Sequence, residues 1–253
     1  MGHAWLVKNS LYDCALIVIM IINPYQKFLS SGFAELNANS ERHMVAMYRH
    51  NYKKFLPENK QARILEIGCG MGNFLLFLGE EGYENFLGVD IAPEAIRYCL
   101  DKGISKVKFI KDLMEFLSTA PQFDLIVLND VIEHLPKNEI VDIFCKISEK
   151  LTANGQVIIK TGNMSSMVGL RIRYNDFTHT AGFTEYSLKQ TLFFAGFKRT
   201  EVRPFVFPKN SLPRLIRFVA QKIAHAAWRF VFFVEYTQVP EIVDELIFAV
   251  ARK

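Results

Sequence analysis

The strongest constraint on this chain lies between Arg63 and Asp90. A strand-like run, Arg63-Ile64-Leu65-Glu66-Ile67, passes straight into Gly68-Cys69-Gly70-Met71-Gly72, then a helix-like stretch, then a second strand-like run, Phe86-Leu87-Gly88-Val89-Asp90. Glycines at alternate positions between a strand and a helix let backbone without Cβ atoms approach a ligand closely. A glycine triplet by itself is also the ordinary material of a tight strand-to-helix turn. Asp90 sharpens the reading. It ends the next strand about 20 residues after the turn, where a carboxylate can accept hydrogen bonds from both hydroxyls of a ribose.

The alternation continues beyond this unit. Val107 to Ile110, Asp124 to Leu128 and Gln156 to Ile159 read as further short strands, and Gly72 to Glu81, Pro93 to Asp101 and Lys137 to Leu151 read as helices between strands. Strand and helix in turn predict βαβ units and a mostly parallel sheet. Lys198 to Phe207 and Glu245 to Ala251 add two late strands, which makes an α/β, Rossmann-like, doubly wound sheet of seven strands. Residues 1–57 read as an N-terminal helical prelude, with a helical pattern from Ser40 to Leu56 ended by Pro57. Residues 58–253 form the main domain, with an inserted helix at about 211–234.

The charge and spacing of the turn separate two ligand classes. A dinucleotide site usually reads Gly-x-Gly-x-x-Gly, so that a pyrophosphate sits on the helix N-terminus. Here the glycines stand at 68, 70 and 72, and Glu66 just before them repels phosphates while suiting a cationic amino group. The segment Glu66 to Gly72 resembles the first motif of the class I S-adenosylmethionine-dependent methyltransferases. The resemblance implies S-adenosylmethionine as cofactor, with Asp90 on the ribose, Ile91 on the adenine face, and Asp112 with Leu113 at the adenine edge. For Asp112 a helix cap is the competing role. Asn129-Asp130-Val131-Ile132-Glu133-His134-Leu135 is similar to the fourth motif of small-molecule methyltransferases, which places Asn129 beside the sulfonium.

Methyl transfer from a sulfonium needs an aligned acceptor and, for a hydroxyl, a base. Two histidines qualify. His179 lies in Asp176-Phe177-Thr178-His179, which with Gly182-Phe183-Thr184 and Ala195-Gly196-Phe197 resembles methyltransferases of bacterial surface-glycan pathways and, more loosely, of quinone biosynthesis. His179 is the preferred base and His134 the second, each with a competing structural role in its loop. No ligand spacing demands a metal, although Glu133, His134 and Asp176 are of ligating types. The expected activity is methylation of an oxygen, in preference to a nitrogen, of a small-molecule, glycan or lipid-linked acceptor. The rival readings are a SAM-binding scaffold that has lost catalysis and serves as a membrane or protein adaptor, and a dehydrogenase on the same fold.

Net charge is +4, from 30 basic and 26 acidic residues, too balanced to call for a nucleic-acid partner. Four scattered cysteines give neither a disulfide framework nor a zinc pattern, which suits a cytoplasmic compartment. The apolar run Ala15 to Ile22 falls well short of the roughly 20 residues that cross a bilayer, and a buried or interfacial helix is expected there. Between Val202 and Val234 there is no acidic residue. On a helical projection Arg214, Arg217, Gln221, His225 and Arg229 form one stripe, and Leu215, Ile216, Val219, Ile223, Ala227, Phe230 and Val234 lie opposite. Trp228, Phe232 and Phe233 add aromatic residues near its end. Such a helix suits either peripheral contact with the inner face of a membrane or a docked lid or dimer element.

Overall fold

The computed structural model describes residues 38–209 and 211–253. The Ala15 to Ile22 run therefore lies outside the described residues. The elements follow in the order α1 (Ala38–Tyr52), a short 3-10 turn (Lys53–Phe55), β1 (Ile64–Ile67), α2 (Asn73–Glu80), β2 (Phe86–Asp90), α3 (Pro93–Asp101), β3 (Val107–Phe109), α4 (Leu113–Thr119), β4 (Phe123–Asn129), α5 (Ile140–Lys150), β5 (Leu151–Gly162), α6 (Gly169–Asn175), α7 (Glu185–Phe194), β6 (Arg199–Pro204), α8 (Leu212–Tyr236) and β7 (Leu246–Arg252).

Seven strands form one sheet in the order β3-β2-β1-β4-β5-β7-β6. The first five positions pair in parallel, whereas β7 runs antiparallel to both β5 and β6. Strand order reverses between β1 and β4, where Ile67 stands opposite Leu128. At such a switch point the loops leaving two adjacent strands turn to opposite faces and leave a crevice at their carboxyl ends. The glycine turn and Asn129 both emerge there.

Alternate residues of the central strands feed two cores. Leu65, Ile67, Ile126, Leu128, Val157 and Ile159 face a layer from α4, α5 and α7, including Leu117, Phe144, Ile147, Leu188 and Leu192. Ile64, Leu125, Val127, Ile158, Phe248 and Val250 face the opposite layer, in which Val45, Tyr48 and Tyr52 of α1 join Phe74, Phe77 and Leu78 of α2. The helical prelude thus supplies part of one covering layer. Asn51 fastens it further: its amide donates to the Val206 carbonyl at 2.9 Å and accepts from the Val206 N–H at 2.9 Å.

Local signals place the helix starts. Asp112 caps α4 by accepting the Glu115 N–H at 2.7 Å, and Thr184 with Ser187 forms a capping box on α7. Helices α4 and α6 have seven residues each, too short for helical periodicity to stand out. The helix expected from Lys137 begins at Ile140, because Pro136 to Glu139 close a turn first, with the Glu139 N–H on the Pro136 carbonyl at 2.9 Å.

Helix α8 sits as its charge pattern does not foretell. Arg214, Phe218, Gln221, Ala224, His225, Trp228 and Phe232 are the side toward the body, so part of the polar stripe faces inward. The Trp228 indole donates to the Ser165 carbonyl at 2.9 Å. The apolar stripe points away: Ile216 is 61% exposed, Ile223 68% and Phe230 65%. Among the described residues no helix is long and apolar enough to cross a membrane.

Phe248 is buried where rings of α1 and the β6–α8 connection meet, 5.2 Å from Tyr52 and 6.2 Å from Phe205 between centroids. Phe248→Ala is expected to cost about 3–5 kcal/mol by cavity formation. Denaturant unfolding followed by both fluorescence and circular dichroism should show that loss in a single shared transition.

Candidate active site

Strands β1, β2 and β4 each carry a residue of the crevice at or next to their carboxyl ends. At the end of β1, Glu66 is 3% exposed; its Oε1 accepts from the Asn129 amide at 3.1 Å, while Oε2 is buried without a hydrogen-bond partner. Asn129 at the end of β4 in turn accepts from the Tyr52 hydroxyl at 2.9 Å. A chain of three polar groups therefore joins α1, β4 and β1. Burial pushes the Glu66 pKa well above the usual carboxylate range, opposed by the Asn129 hydrogen bond and the Lys160 charge.

The glycine turn is held open by backbone bonds. The N–H groups of Gly68 and Cys69 reach the Val89 carbonyl at 2.8 and 3.1 Å, and the Gly70 N–H reaches Asp90 Oδ2 at 2.8 Å. Gly68 has φ +70°, and a Cβ there would overlap the Val131 side chain. Gly70 has φ +48°, and nothing lies within 4 Å of the place a Cβ would take, so this side of the turn is open to a ligand. Gly72, at φ +74°, closes the turn and starts α2. The second Asp90 oxygen accepts from the Ala92 N–H at 2.8 Å, so the carboxylate is oriented by backbone. Ile91 beside it is 59% exposed, an apolar surface at the mouth. Asp112 is exposed and caps α4, with Leu113 partly buried behind it. The capping role is thus present, through the Oδ1 oxygen of Asp112.

Across the crevice the loops after β4 and α6 meet. The Thr180 N–H donates to the Glu133 carbonyl at 2.7 Å, and the Arg173 guanidinium bonds the carbonyls of His179 and Thr180. These bonds bring His134 and His179 together, with ring centroids 4.7 Å apart. The sequence offered them as alternatives; the fold makes them neighbours. His179 Nδ1 lies 3.0 Å from the Ile172 carbonyl, which can only accept, so this nitrogen carries the proton. The Thr178 hydroxyl donates to Asp176 at 2.7 Å and so accepts from His134 Nδ1, 2.8 Å away. Burial first, and the neighbouring His179 next, lower the His134 pKa. Glu133 is buried and accepts from the Thr161 hydroxyl at 3.0 Å.

Sequence reasoning gave no site role to Tyr52 or Lys160 and named Asp130 only as part of its motif. Lys160 is 3% exposed on β5 and pairs with Asp130, whose φ is +54°. A lysine inside a strand pattern gives no sign of its partner, and the left-handed turn at Asp130 has no glycine to mark it.

A reversed strand order with an acid-led glycine turn, a ribose-type aspartate and an antiparallel seventh strand defines a Rossmann-like methyltransferase fold. The model of the methyltransferase domain family matches residues 40–202, and the chain belongs to that family. It is 26% identical over 153 residues to a ubiquinone biosynthesis O-methyltransferase of Rickettsia bellii, an alignment covering 56% of this chain and 62% of the relative. Among solved structures it is similar to a SAM-dependent methyltransferase from Archaeoglobus fulgidus, with a TM-score of 0.60 and 23% identity over 83% of this chain and 94% of that one. A Haemonchus contortus phosphoethanolamine N-methyltransferase 2, in complex with S-adenosyl-L-methionine, has a TM-score of 0.56 at 16% identity, over 86% of this chain and 57% of that one. At these identities the structural likenesses show the fold alone.

The cofactor of this family is S-adenosylmethionine, and the residues present fit it. The buried, unpartnered Glu66 oxygen beside an open glycine turn suits the cationic amino group of the methionine moiety. Asp90 suits the ribose and Ile91 the adenine face.

Without ligand, Glu66 holds its proton to a higher pH than an ordinary carboxylic acid, whereas an ammonium group favours the ionised form. Binding therefore releases a proton, and affinity rises with pH until the pKa of the free site is passed. Calorimetry in buffers of different ionisation heat should detect that release. Glu66→Gln is expected to abolish it and to weaken cofactor binding about 10–100-fold, the size of a charge-assisted hydrogen bond.

Proposed function

We propose that the protein transfers the methyl group of S-adenosylmethionine to an oxygen, in preference to a nitrogen, of a small-molecule, glycan or lipid-linked acceptor. The observation that carries this reading is the His134–His179 pair, with both Nδ1 atoms committed as donors and the Nε2 lone pairs left to receive a proton. An attacking hydroxyl must lose its proton as its oxygen bonds to the methyl carbon and the sulfonium leaves as a thioether. His179 is the preferred base, its Nδ1 held by the Ile172 carbonyl; His134, whose pKa burial lowers, backs it. Oxygen is favoured also by the R. bellii relative, which is named for O-methylation.

The lipid-linked branch of the acceptor class draws support from two exposed apolar surfaces on the loops and helix beyond β5. In and after α6, Leu170, Tyr174 and Phe177 are 77%, 76% and 93% exposed, two to nine residues before His179. The outward stripe of α8 is apolar, with Arg217, Lys222 and Arg229 exposed around it and no acid from Val202 to Val234. Apolar side chains edged by cations suit the interface of an anionic bilayer. Vesicle flotation with phosphatidylglycerol should carry the wild-type protein upward, and Ile216→Ser/Ile223→Ser/Phe230→Ser should leave it at the bottom. A wild-type protein that stays at the bottom removes the membrane branch.

The chemistry is tested by incubating protein and cofactor with phenolic, glycosidic and amine acceptors and reading S-adenosylhomocysteine release by mass spectrometry. Methylation of a hydroxyl that falls about 10²–10⁴-fold in His179→Ala, with cofactor affinity unchanged, supports the reading. Transfer to amines alone, or activity indifferent to both histidines, overturns it.

A further inference from the structure

The acceptor end of the crevice has a second capacity. We propose that Glu133, His134 and His179 bind a divalent first-row transition ion. One donor atom from each residue lies within 4.8 Å of the other two. Two imidazoles and a carboxylate are the donor set preferred by Zn²⁺, Mn²⁺ or Co²⁺, whereas Mg²⁺ and Ca²⁺ favour oxygen throughout.

Hydrogen bonding prepares the ligands. A metal-binding histidine characteristically donates its remote N–H to a carbonyl or a carboxylate-linked group, which fixes the ring and leaves the other nitrogen free for the metal. Both histidines do this: His179 Nδ1 donates to the Ile172 carbonyl, and His134 Nδ1 donates to Thr178, which is itself bonded to Asp176. The Nε2 atoms are thereby the ligating ones. Glu133 is the buried floor of the cluster; Thr161 holds its Oε2, and the carbonyl of the same residue receives the N–H groups of Thr180 and Ala181 at 2.7 and 3.2 Å. The two chain segments that carry the ligands are therefore locked to each other by backbone before any ion arrives.

The spacing asks for a small movement. Metal–ligand bonds of about 2.0–2.2 Å put neighbouring donors of a tetrahedral ion about 3.4 Å apart. The donor atoms lie within 4.8 Å of one another, so they must draw closer when the ion binds. His134 and His179 are half-buried, so three protein ligands leave coordination positions open toward the crevice. Asp130 and Asp176 flank the cluster and favour a cation, and the Lys160 ammonium, paired with Asp130, is the opposing charge nearby.

This inference rests on the reading above that an acceptor oxygen comes to the histidine pair, and it changes one step. With the ion bound, the imidazoles hold the metal, and a hydroxyl on the metal loses its proton to bulk water at lower pH than a free hydroxyl. The resulting oxyanion forms the bond to the methyl carbon as the carbon–sulfur bond breaks and its electron pair stays on sulfur.

Protein stripped with chelator and titrated with Co²⁺ should develop a saturable visible absorption band at one ion per chain, and calorimetry should give micromolar or tighter Zn²⁺ binding with Mg²⁺ at least about 100-fold weaker. His179→Ala should remove the band. Thr178→Val, which takes away the group orienting His134 and leaves all three ligands, should weaken Zn²⁺ about 10–100-fold. Absence of saturable binding below millimolar Zn²⁺, or binding unaltered in His179→Ala, overturns the proposal. Stripped protein that still methylates a hydroxyl in a His179-dependent way would overturn the ion's part in the step and keep the base; an ion bound as expected in a protein that methylates no hydroxyl would keep the site and overturn the methylation of oxygen.

Discussion

The buried carboxylate of Glu66 is the interaction on which the cofactor half of this protein depends. An acid at 3% exposure in an interior strand of a sheet is costly unless something compensates it. Asn129 from β4 satisfies one oxygen, and Tyr52 from α1 holds Asn129 in turn. The other oxygen is left without a partner. A group whose pKa burial raises and whose ionised form an ammonium would favour thus stands beside the open side of the glycine turn. The same three-residue chain explains why α1 cannot be detached from the site: its hydroxyl orients the amide that orients the acid.

The acceptor half is built on a different plan. Where the cofactor residues stand at strand ends, Glu133, His134 and His179 stand on loops, and loops need external fixing. That fixing is backbone hydrogen bonding between the turn after β4 and the segment after α6, reinforced by Arg173. The two histidines share a third feature, a donor bond from Nδ1 to a rigid acceptor, that sets the direction of both free lone pairs. Proton acceptance and ion binding are alternative uses of those lone pairs, which is why one cluster supports both proposals and one set of variants separates them.

Helix α8 shows how composition can find an element without telling which face meets the body. Lack of acids and the spacing of arginines identify a basic amphipathic helix. Its aromatic and small residues, Phe218, Ala224, Trp228 and Phe232, nonetheless turn toward the body along with Arg214 and His225. Trp228 ties that face to the body, because its indole N–H reaches the Ser165 carbonyl at 2.9 Å. The broad aliphatic stripe is then left outward.

Short-range pattern along the chain was enough to foretell the sheet and to mark the glycine turn and the acids around it: alternating strand and helix, glycines at 68, 70 and 72, and an acid in or at the end of each of the first two strands. It also named both histidines. Folding in three dimensions was needed to make His134 and His179 partners, to bring Tyr52 to Asn129, to pair Lys160 with Asp130 and to let Thr178 orient a ring. Those last three contacts join residues from 30 to 77 positions apart. Their side chains have no periodicity to betray them, and their distances are fixed by how the strands are ordered and the loops are pinned.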